Sequence, residues 1–129
     1  MEVDRRNTAR MKVIVEKYGW PTKRMVGRDG MRAAWLLVQH ADQAVAFQRK
    51  CLALMGPLQK TGQVSRKDVA YLTDRVQVNE GKPQVYGTQF HVVEGVRQPR
   101  RIHDVANVDK RRKSMGLTTM KEYTELMNT

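Results

Sequence analysis

The polar side chains that could do chemistry are concentrated in residues 71–91, where the sequence reads YLTDRVQVNEGKPQVYGTQFH. Apolar residues at helical spacing open this segment, and residues 85–93 have the composition of a strand. Asp74 and Arg75 lie inside the apolar helical part. A charge in a protein interior needs a partner, and adjacent residues on a helix point apart. We therefore expect each of these two charges to have its own partner elsewhere in the chain.

The residue types around these two charges suit proton transfer and anion binding. His40 lies in the last turn of an apolar helix, on the side predicted to face the core, and histidine is the usual general base or acid. Arg75 is a candidate anion clamp, and Asp74 would fix the tautomer of a histidine. The residues predicted to carry the chemistry are His40, Asp74, Arg75 and Tyr86, and those predicted to bind the substrate are Gln84, Thr88, Gln89 and His91.

Each of these assignments has a structural alternative. His40 could be a hydrogen-bonded core histidine, and the Asp74–Arg75 pair could tie its helix to neighbouring segments. As a site, the set would serve hydrolysis or transfer at a phosphate ester or glycosidic bond, or it would only bind a small polar ligand. The sequence leaves open whether the protein is an enzyme.

The motifs that announce metal or cofactor chemistry are missing from the sequence. The three histidines at positions 40, 91 and 103 are widely spaced and match no zinc-ligand pattern. There is no glycine-rich phosphate loop and no nucleophile elbow. We therefore predict a site that needs neither a metal ion nor a cofactor.

A strong excess of positive charge supports a second function, that of a basic nucleic-acid- or protein-binding module without catalysis. The chain of 129 residues has a formal net charge of +11, and such a surface favours polyanionic partners. Residues 1–32 hold nine Lys and Arg against four Asp and Glu, and residues 97–113 hold seven against two. The residues predicted to contact nucleic acid are Arg97, Arg100, Arg101, Lys110, Arg111, Arg112 and Lys113. The alternative for the run at 110–113 is a solvated helix face.

The remaining composition predicts a cytoplasmic protein with no membrane partner. No apolar run reaches 18 residues, and the first residues lack the apolar core of a signal peptide. Cys51 is the single cysteine, which excludes a disulfide within the chain. It lies in an apolar helical pattern, so we expect a small buried hydrophobic residue and not a nucleophile.

The length fits a single domain over residues 1–129. In its first half, helical periodicity predicts helices over 4–18, 29–41 and 43–60. The helix at 29–41 is the most apolar and is expected to be buried at the centre of the core. Asp42 is predicted to cap the start of the third helix.

The second half is predicted to combine helices with a β-hairpin. Ser65 begins a capping box ahead of the helix that carries Asp74, and Gly81 follows the end of that helix. A strand over 85–93 turns at Glu94–Gly95 and pairs back. Two shorter helices follow, the last of them capped by Thr118 or Thr119. The predicted fold is α+β and predominantly helical, with five or six helices around the buried helix 29–41 and a small antiparallel hairpin near 84–102.

Several of these segments together resemble the signature of an uncharacterised bacterial domain family. They are YGWP at 18–21, VQHAD at 38–42, LTDR at 72–75 and QVYGTQ at 84–89, and the resemblance covers nearly the whole chain. The family has no assigned activity, so the resemblance implies no reaction. Its recurring polar positions match His40, Asp42, Asp74, Arg75, Gln84, Tyr86, Thr88 and Gln89. The resemblance implies that these residues, which come from separate segments, converge on one cleft.

Overall fold

Helices dominate residues 2–129, the part of the chain that the computed structural model describes. The elements are α1 Glu2–Tyr18, α2 Lys23–Gln39, α3 Val45–Met55, α4 Arg66–Asn79, β1 Phe90–Val93, β2 Val96–Pro99, α5 Val108–Ser114 and α6 Met120–Met127. Short 3-10 helices span Gly56–Thr61 and Val105–Asn107. The prediction of an α+β, predominantly helical fold with a small antiparallel hairpin is confirmed.

The core forms where α2 packs against α1, α3 and α4, and α3 also packs against α4. Trp35 and Val38 of α2 lie in one cluster with Leu72 of α4 and Cys51 of α3. Helix α2 thus has the predicted central position, although its Leu36 is 38% exposed on the opposite face. Cys51 is fully buried, as predicted, and burial raises the pKa of its thiol to about 12, which keeps it protonated and unreactive.

Three predicted features of the central helices are corrected by the structure. The helix predicted over 29–41 begins earlier, at Lys23, and ends at Gln39, with an interruption at Gly27, where φ is +76°. The cap of α3 is Ala44, which makes no side-chain cap, so the prediction that Asp42 caps this helix was wrong. Helix α3 also ends at Met55, and the chain continues as a 3-10 helix around Pro57, which lacks the amide hydrogen that an α-helix needs.

The predicted caps in the second half of the chain are confirmed. The Ser65 Oγ accepts a hydrogen bond of 3.4 Å from the backbone N–H of Asp68 at the start of α4. The Thr119 Oγ1 accepts one of 3.2 Å from the N–H of Glu122 at the start of α6. Gly81, at φ +74°, follows the end of α4. These helix ends depend on residues within one turn, which is why the sequence identifies them.

The hairpin is shorter than predicted. Strands β1 and β2 pair antiparallel from Phe90 opposite Pro99 to Val93 opposite Val96, with the turn at the predicted residues 94–95. The prediction that residues 85–89 belong to the first strand was wrong, because they form an irregular loop. The outer edge of β2 is covered by Asn128, whose side chain accepts from the N–H and donates to the C=O of Arg97.

Gly87 lies in this loop at φ +70°, and a Cβ there would overlap the Met120 Sδ and lie 3.2 Å from the Ile102 Cδ1. We expect Gly87→Ala to lower the free energy of unfolding by about 2 kcal/mol, of which about 1 kcal/mol is left-handed backbone strain. Gly81→Ala is the matched control, because Gly81 also has a positive φ, of +74°, but open space around it. An alanine there is expected to introduce only the backbone strain. Urea denaturation of both variants measures the difference, and equal losses would show that the contact with Met120 has no energetic weight.

Candidate functional site

The carboxylate of Asp74 organises the loop of residues 84–89, called here the 84–89 loop. Asp74 is fully buried on α4. Its Oδ1 accepts the backbone N–H of Val85 and of Tyr86, each at 2.8 Å. Its Oδ2 accepts the N–H of Thr88 at 2.9 Å and the Thr88 hydroxyl at 2.7 Å. Amides bound to a carboxylate cannot join a β-ladder, which explains why the loop is not a strand.

The environment of Asp74 has two opposing effects on its pKa. Burial raises the pKa of the carboxyl group, and the hydrogen bonds from Tyr86, Thr88 and Val85 offset only part of that rise. All four bonds are made within the protein, so Asp74 holds a loop together in this structure. Among the described residues its carboxylate forms no hydrogen bond with a histidine, in contrast to the predicted tautomer-fixing role.

Gln84 is the second fully buried polar group of the loop. Its Nε2 donates to the carbonyl oxygens of Gln89 at 2.9 Å and Arg100 at 2.8 Å, and its Oε1 accepts the N–H of Gln89 at 2.8 Å. Its backbone N–H donates to the Arg101 carbonyl oxygen at 2.9 Å. Gln84 therefore fixes the backbone of Arg100 and Arg101 relative to the 84–89 loop.

Two arginines from α5 hold the other side of the loop. The Arg112 guanidinium is 1% exposed, and it donates to the carbonyl oxygens of Tyr86 at 2.7 Å and Thr118 at 2.5 Å. The Arg111 Nε donates to the Val85 carbonyl oxygen at 2.9 Å. The prediction of a solvated face at 110–113 was therefore wrong for these two residues. Their guanidinium groups donate to carbonyl oxygens of the protein, so those donors do not face a nucleic-acid surface as the sequence predicted.

Arg75 clamps the loop between α2 and α3. Its Nε and Nη2 bind the two carboxylate oxygens of Asp42 at 2.8 and 2.5 Å, a bidentate geometry, and its Nη1 donates to the Gln89 Oε1 at 3.1 Å. Asn79 donates to the Asp42 Oδ1 at 2.8 Å. The expectation that Asp74 and Arg75 have separate partners is confirmed. Asp42 and Arg75 are the solvent-facing part of the cluster, with side chains 43% and 31% exposed.

The clamp predicts an acid-dependent loss of stability. Partial burial raises the pKa of Asp42, but the hydrogen bonds from Arg75 and Asn79 outweigh it and hold the pKa below the ordinary 3.8. A carboxyl group whose pKa is lowered by folding stabilises the folded state above pH 3.8 and loses that contribution as the pH falls through the folded value. We expect Asp42→Asn to cost about 0.5–1 kcal/mol at pH 7, since the pair is partly exposed, and the cost to shrink as the pH falls below 3.8 and through the lowered folded-state pKa. Urea denaturation from pH 2.5 to 7 measures this, and a cost independent of pH would contradict it.

Neither histidine of the predicted site forms a hydrogen bond with this network among the described residues. His40 is the residue at the C-terminal cap of α2 and is exposed, so the prediction that it faces the core was wrong. The buried position at this end of α2 belongs to Gln39, whose Nε2 donates to the Tyr71 carbonyl oxygen at 3.2 Å. Among the described residues, no hydrogen bond or ion pair joins His40 to Arg75 or Tyr86.

His91 lies instead in a groove of positive charge, called here the basic groove. It has a volume of about 310 Å³ and is lined by Val78, Gly81, Lys82, His91, Arg100 and Arg101. His91, Arg100 and Arg101 are exposed, and in the described part of the chain no carboxylate pairs with them. Lys82 forms an ion pair of 3.4 Å with Glu80, which does not line the groove. Sequence reasoning missed Lys82, because its nearness to Arg100 and Arg101 depends on the tertiary contacts of Gln84.

The predicted site residues thus divide into one continuous hydrogen-bonded network and two histidines that are not hydrogen-bonded to it. The network runs from Asp42 through Arg75, Gln89 and Thr88 to Asp74, since the Gln89 Nε2 donates to the Thr88 Oγ1 at 3.0 Å. Tyr86 is half-buried at the edge of the core, with its backbone bound by Asp74 and Arg112. Of the positions named by the family resemblance, all except His40 are joined by hydrogen bonds of their side chains or backbone, and most of these polar atoms satisfy one another.

Among the described side chains, which exclude those of residues 1, 2 and 4, no three His, Cys, Asp or Glu residues are grouped so that they could hold a metal ion. None of the helices in residues 2–129 has the length and apolar character required to span a membrane.

Comparison with known proteins identifies the sequence family of this chain. The sequence model of a family of unknown function, DUF6624, matches residues 1–129. The chain belongs to this family, which confirms the resemblance to an uncharacterised family. No match was found among curated proteins or among solved structures.

Proposed function

We propose that the protein binds nucleic acid through the phosphates of its backbone, at the basic groove, without catalysis. The observation that carries the proposal is the convergence of Lys82, His91, Arg100 and Arg101 on one groove that no acidic side chain lines. Cationic side chains on one face attract phosphates and release counterions from nucleic acid. The groove is lined by no Phe, Tyr or Trp on which successive bases could stack, so we expect contacts to the backbone that are independent of sequence.

The construction of the groove supports this proposal. A site for a charged ligand works best when its groups are held in place before the ligand arrives. Gln84 fixes the main chain at residues 100–101 through two hydrogen bonds, while the side chains of Arg100 and Arg101 are exposed. The buried polar network therefore acts as a platform for the groove. A nucleic-acid ligand is also compatible with the cytoplasmic location predicted from the sequence.

The test is binding of a fluorescent 20-nucleotide single strand, followed by anisotropy between 25 and 200 mM salt. With three or four phosphates neutralised, log K is expected to fall with log salt at a slope of about −2 to −3. Arg100→Gln/Arg101→Gln is expected to weaken binding by at least about tenfold and to reduce the slope by about 1 to 2.

A matched control separates the groove from the net charge. Arg10→Gln/Lys50→Gln also removes two positive charges from exposed positions, but neither residue lines the groove. This control is expected to retain the wild-type slope. Equal weakening in the two double variants, or no binding by the wild type at 25 mM salt, would rule out the groove as the site.

A metal-independent enzyme acting on a phosphate- or sugar-bearing substrate is the second candidate. The observation that favours it is the half-exposed Arg75, which is oriented by Asp42 and Gln89 beside the loop that carries Tyr86. In this proposal Arg75 binds the anionic group, Tyr86 and Gln89 orient the substrate, and His40 transfers the proton. Thermal melts with nucleotides and sugar phosphates test it. A ligand-induced rise in melting temperature that His40→Ala and Arg75→Ala both abolish would favour the enzyme over the basic module.

A further inference from the structure

An apolar groove, distinct from the basic groove, lies between α1 and α2. It has a volume of about 320 Å³, and none of its ten lining residues carries a charge. Four of them are large hydrophobic residues that remain exposed: Ile14 at 38%, Tyr18 at 59%, Met25 at 55% and Val26 at 45%. Exposed apolar side chains are common singly, but a contiguous concave set marks an interaction site. This groove is called here the α1–α2 groove.

Several positively charged residues are close in sequence to the lining residues of the α1–α2 groove. The Lys17 Nζ lies 5.1 Å from the centre of the Tyr18 ring, at the groove itself. Lys23 and Arg24 directly precede Met25, and Arg28 follows Val26 by two residues. Among the side chains that the structure describes, which exclude those of residues 1, 2 and 4, none of these four cations forms an ion pair with a carboxylate. Residues 16–29 hold four Lys and Arg against Glu16 and Asp29, so the charge that would complement this segment is negative.

The dimensions of the groove fit two turns of a helix. Its α1 wall runs from Met11 through Ile14 to Tyr18, a rise of about 10 Å at 1.5 Å per residue. An amphipathic helix binds such a groove with apolar side chains at positions i, i+4 and i+7. We propose that the α1–α2 groove binds an amphipathic helix of a partner protein, with acidic residues on both sides of its apolar face.

The same observations disfavour the other occupants. A membrane surface is entered by an apolar face that protrudes from the protein, whereas these side chains line a hollow. A second copy of the chain would bring two surfaces of like charge together, since the net charge is +11. The apolar lining offers nothing to a phosphate backbone, so this groove and the basic groove select different partners.

The probe is a synthetic helical peptide of about 16 residues, with leucines at i, i+4 and i+7 and glutamates on both sides of them. A second peptide has the same leucines but lysines in place of the glutamates. We expect the glutamate peptide to bind the wild-type protein at least about tenfold more tightly, measured by fluorescence anisotropy. Tyr18→Ser/Met25→Ser, at two exposed positions, is expected to weaken binding of the glutamate peptide by at least about tenfold.

Control variants make the outcome decisive. Val92→Ser changes a side chain of the hairpin that is 67% exposed, and it is expected to leave peptide binding unchanged. Lys17→Glu/Arg24→Glu/Arg28→Glu is expected to reverse the preference in favour of the lysine peptide, which also shows that the variant is folded. The proposal is overturned if the wild type binds both peptides equally, or if Tyr18→Ser/Met25→Ser binds as the wild type does. It is also overturned if the wild type binds neither peptide. In that case, sedimentation with phosphatidylserine vesicles would indicate a membrane surface as the occupant, and self-association through these residues would indicate a second copy of the chain.

Discussion

Asp74→Ala is expected to lower the free energy of unfolding by about 3–5 kcal/mol, a loss that unfolds many small proteins. The substitution strips the acceptor from three backbone N–H groups and one hydroxyl group in a fully buried location. Each buried donor left without a partner costs about 1–3 kcal/mol. Part of this free energy is recovered when the loop opens and its N–H groups form hydrogen bonds with water. The expected observation is an early urea transition, together with cleavage of the 84–89 loop in limited proteolysis.

Asp68→Ala provides the matched control on the same helix. Asp68 is also a buried aspartate of α4, but its carboxylate has only a distant ion pair with Arg32, at 3.7 Å. Its loss is expected to cost about 1 kcal/mol, chiefly through the favourable position of a carboxylate near the start of a helix. If both variants lose the same stability, burial of a carboxylate alone explains the effect, and the bonds to the loop carry no special weight.

Arg112→Ala is expected to cost about 3–4 kcal/mol, since it empties a buried volume and leaves two carbonyl oxygens without their donor. Arg112 is 1% exposed, and its guanidinium also lies 4.9 Å from the centre of the Tyr123 ring. Burial lowers the pKa of the guanidinium, but arginine remains charged at neutral pH. The substitution is expected to release α6 as well as the 84–89 loop, because Arg112 binds Thr118 just before α6. Hydrogen exchange of the α6 amides, together with urea denaturation, measures both effects.

Two comparisons separate the hydrogen bonds of Arg112 from its charge. Arg112→Lys keeps the charge but not the two-pronged donor, and it is expected to recover only about 1 kcal/mol. Arg111→Ala removes a neighbouring arginine that also binds carbonyl oxygens but is partly exposed, and it is expected to cost about 1–2 kcal/mol. Full recovery in Arg112→Lys would mean that the charge alone matters.

Tyr86 links the two large effects. Its backbone N–H donates to Asp74 and its carbonyl oxygen accepts from Arg112, so the two substitutions act on the same peptide segment. Once either residue is lost, the loop is already released and the second loss should cost less. We expect the double variant to be about 1–2 kcal/mol more stable than the sum of the single losses predicts. Additive losses would indicate that Asp74 and Arg112 stabilise separate parts of the fold.

Gln84 contributes both to the stability of the 84–89 loop and to the proposed basic groove. The same side chain is buried in the 84–89 loop and holds the main chain of Arg100. Loosening the loop through Asp74 therefore also loosens the wall of the basic groove. For this reason, nucleic-acid binding is best tested with Arg100 and Arg101, whose side chains are exposed and carry no part of the buried network.

The features that local sequence decided are those whose energies come from neighbouring residues. The caps at Ser65 and Thr119, the glycine after α4 and the turn at residues 94–95 lie within a few positions of the groups they satisfy. The apolar periodicity of the helices likewise identified a helix-rich fold and a buried Cys51. Asp74 and Arg75 could be predicted to have separate partners, because adjacent helical side chains diverge.

Only the tertiary structure decided which residue, distant in the sequence, binds each of the polar side chains. Asp42 had the sequence of a helix cap but is bound by Arg75, 33 residues away. Residues 85–89 had the composition of a strand, but Asp74 takes their amides from 11 to 14 residues away. Arg112 looked like part of a solvated charge run and is buried against Tyr86. A buried polar group is stabilised by whichever partner fits its geometry, and only the folded chain determines which partners come within reach.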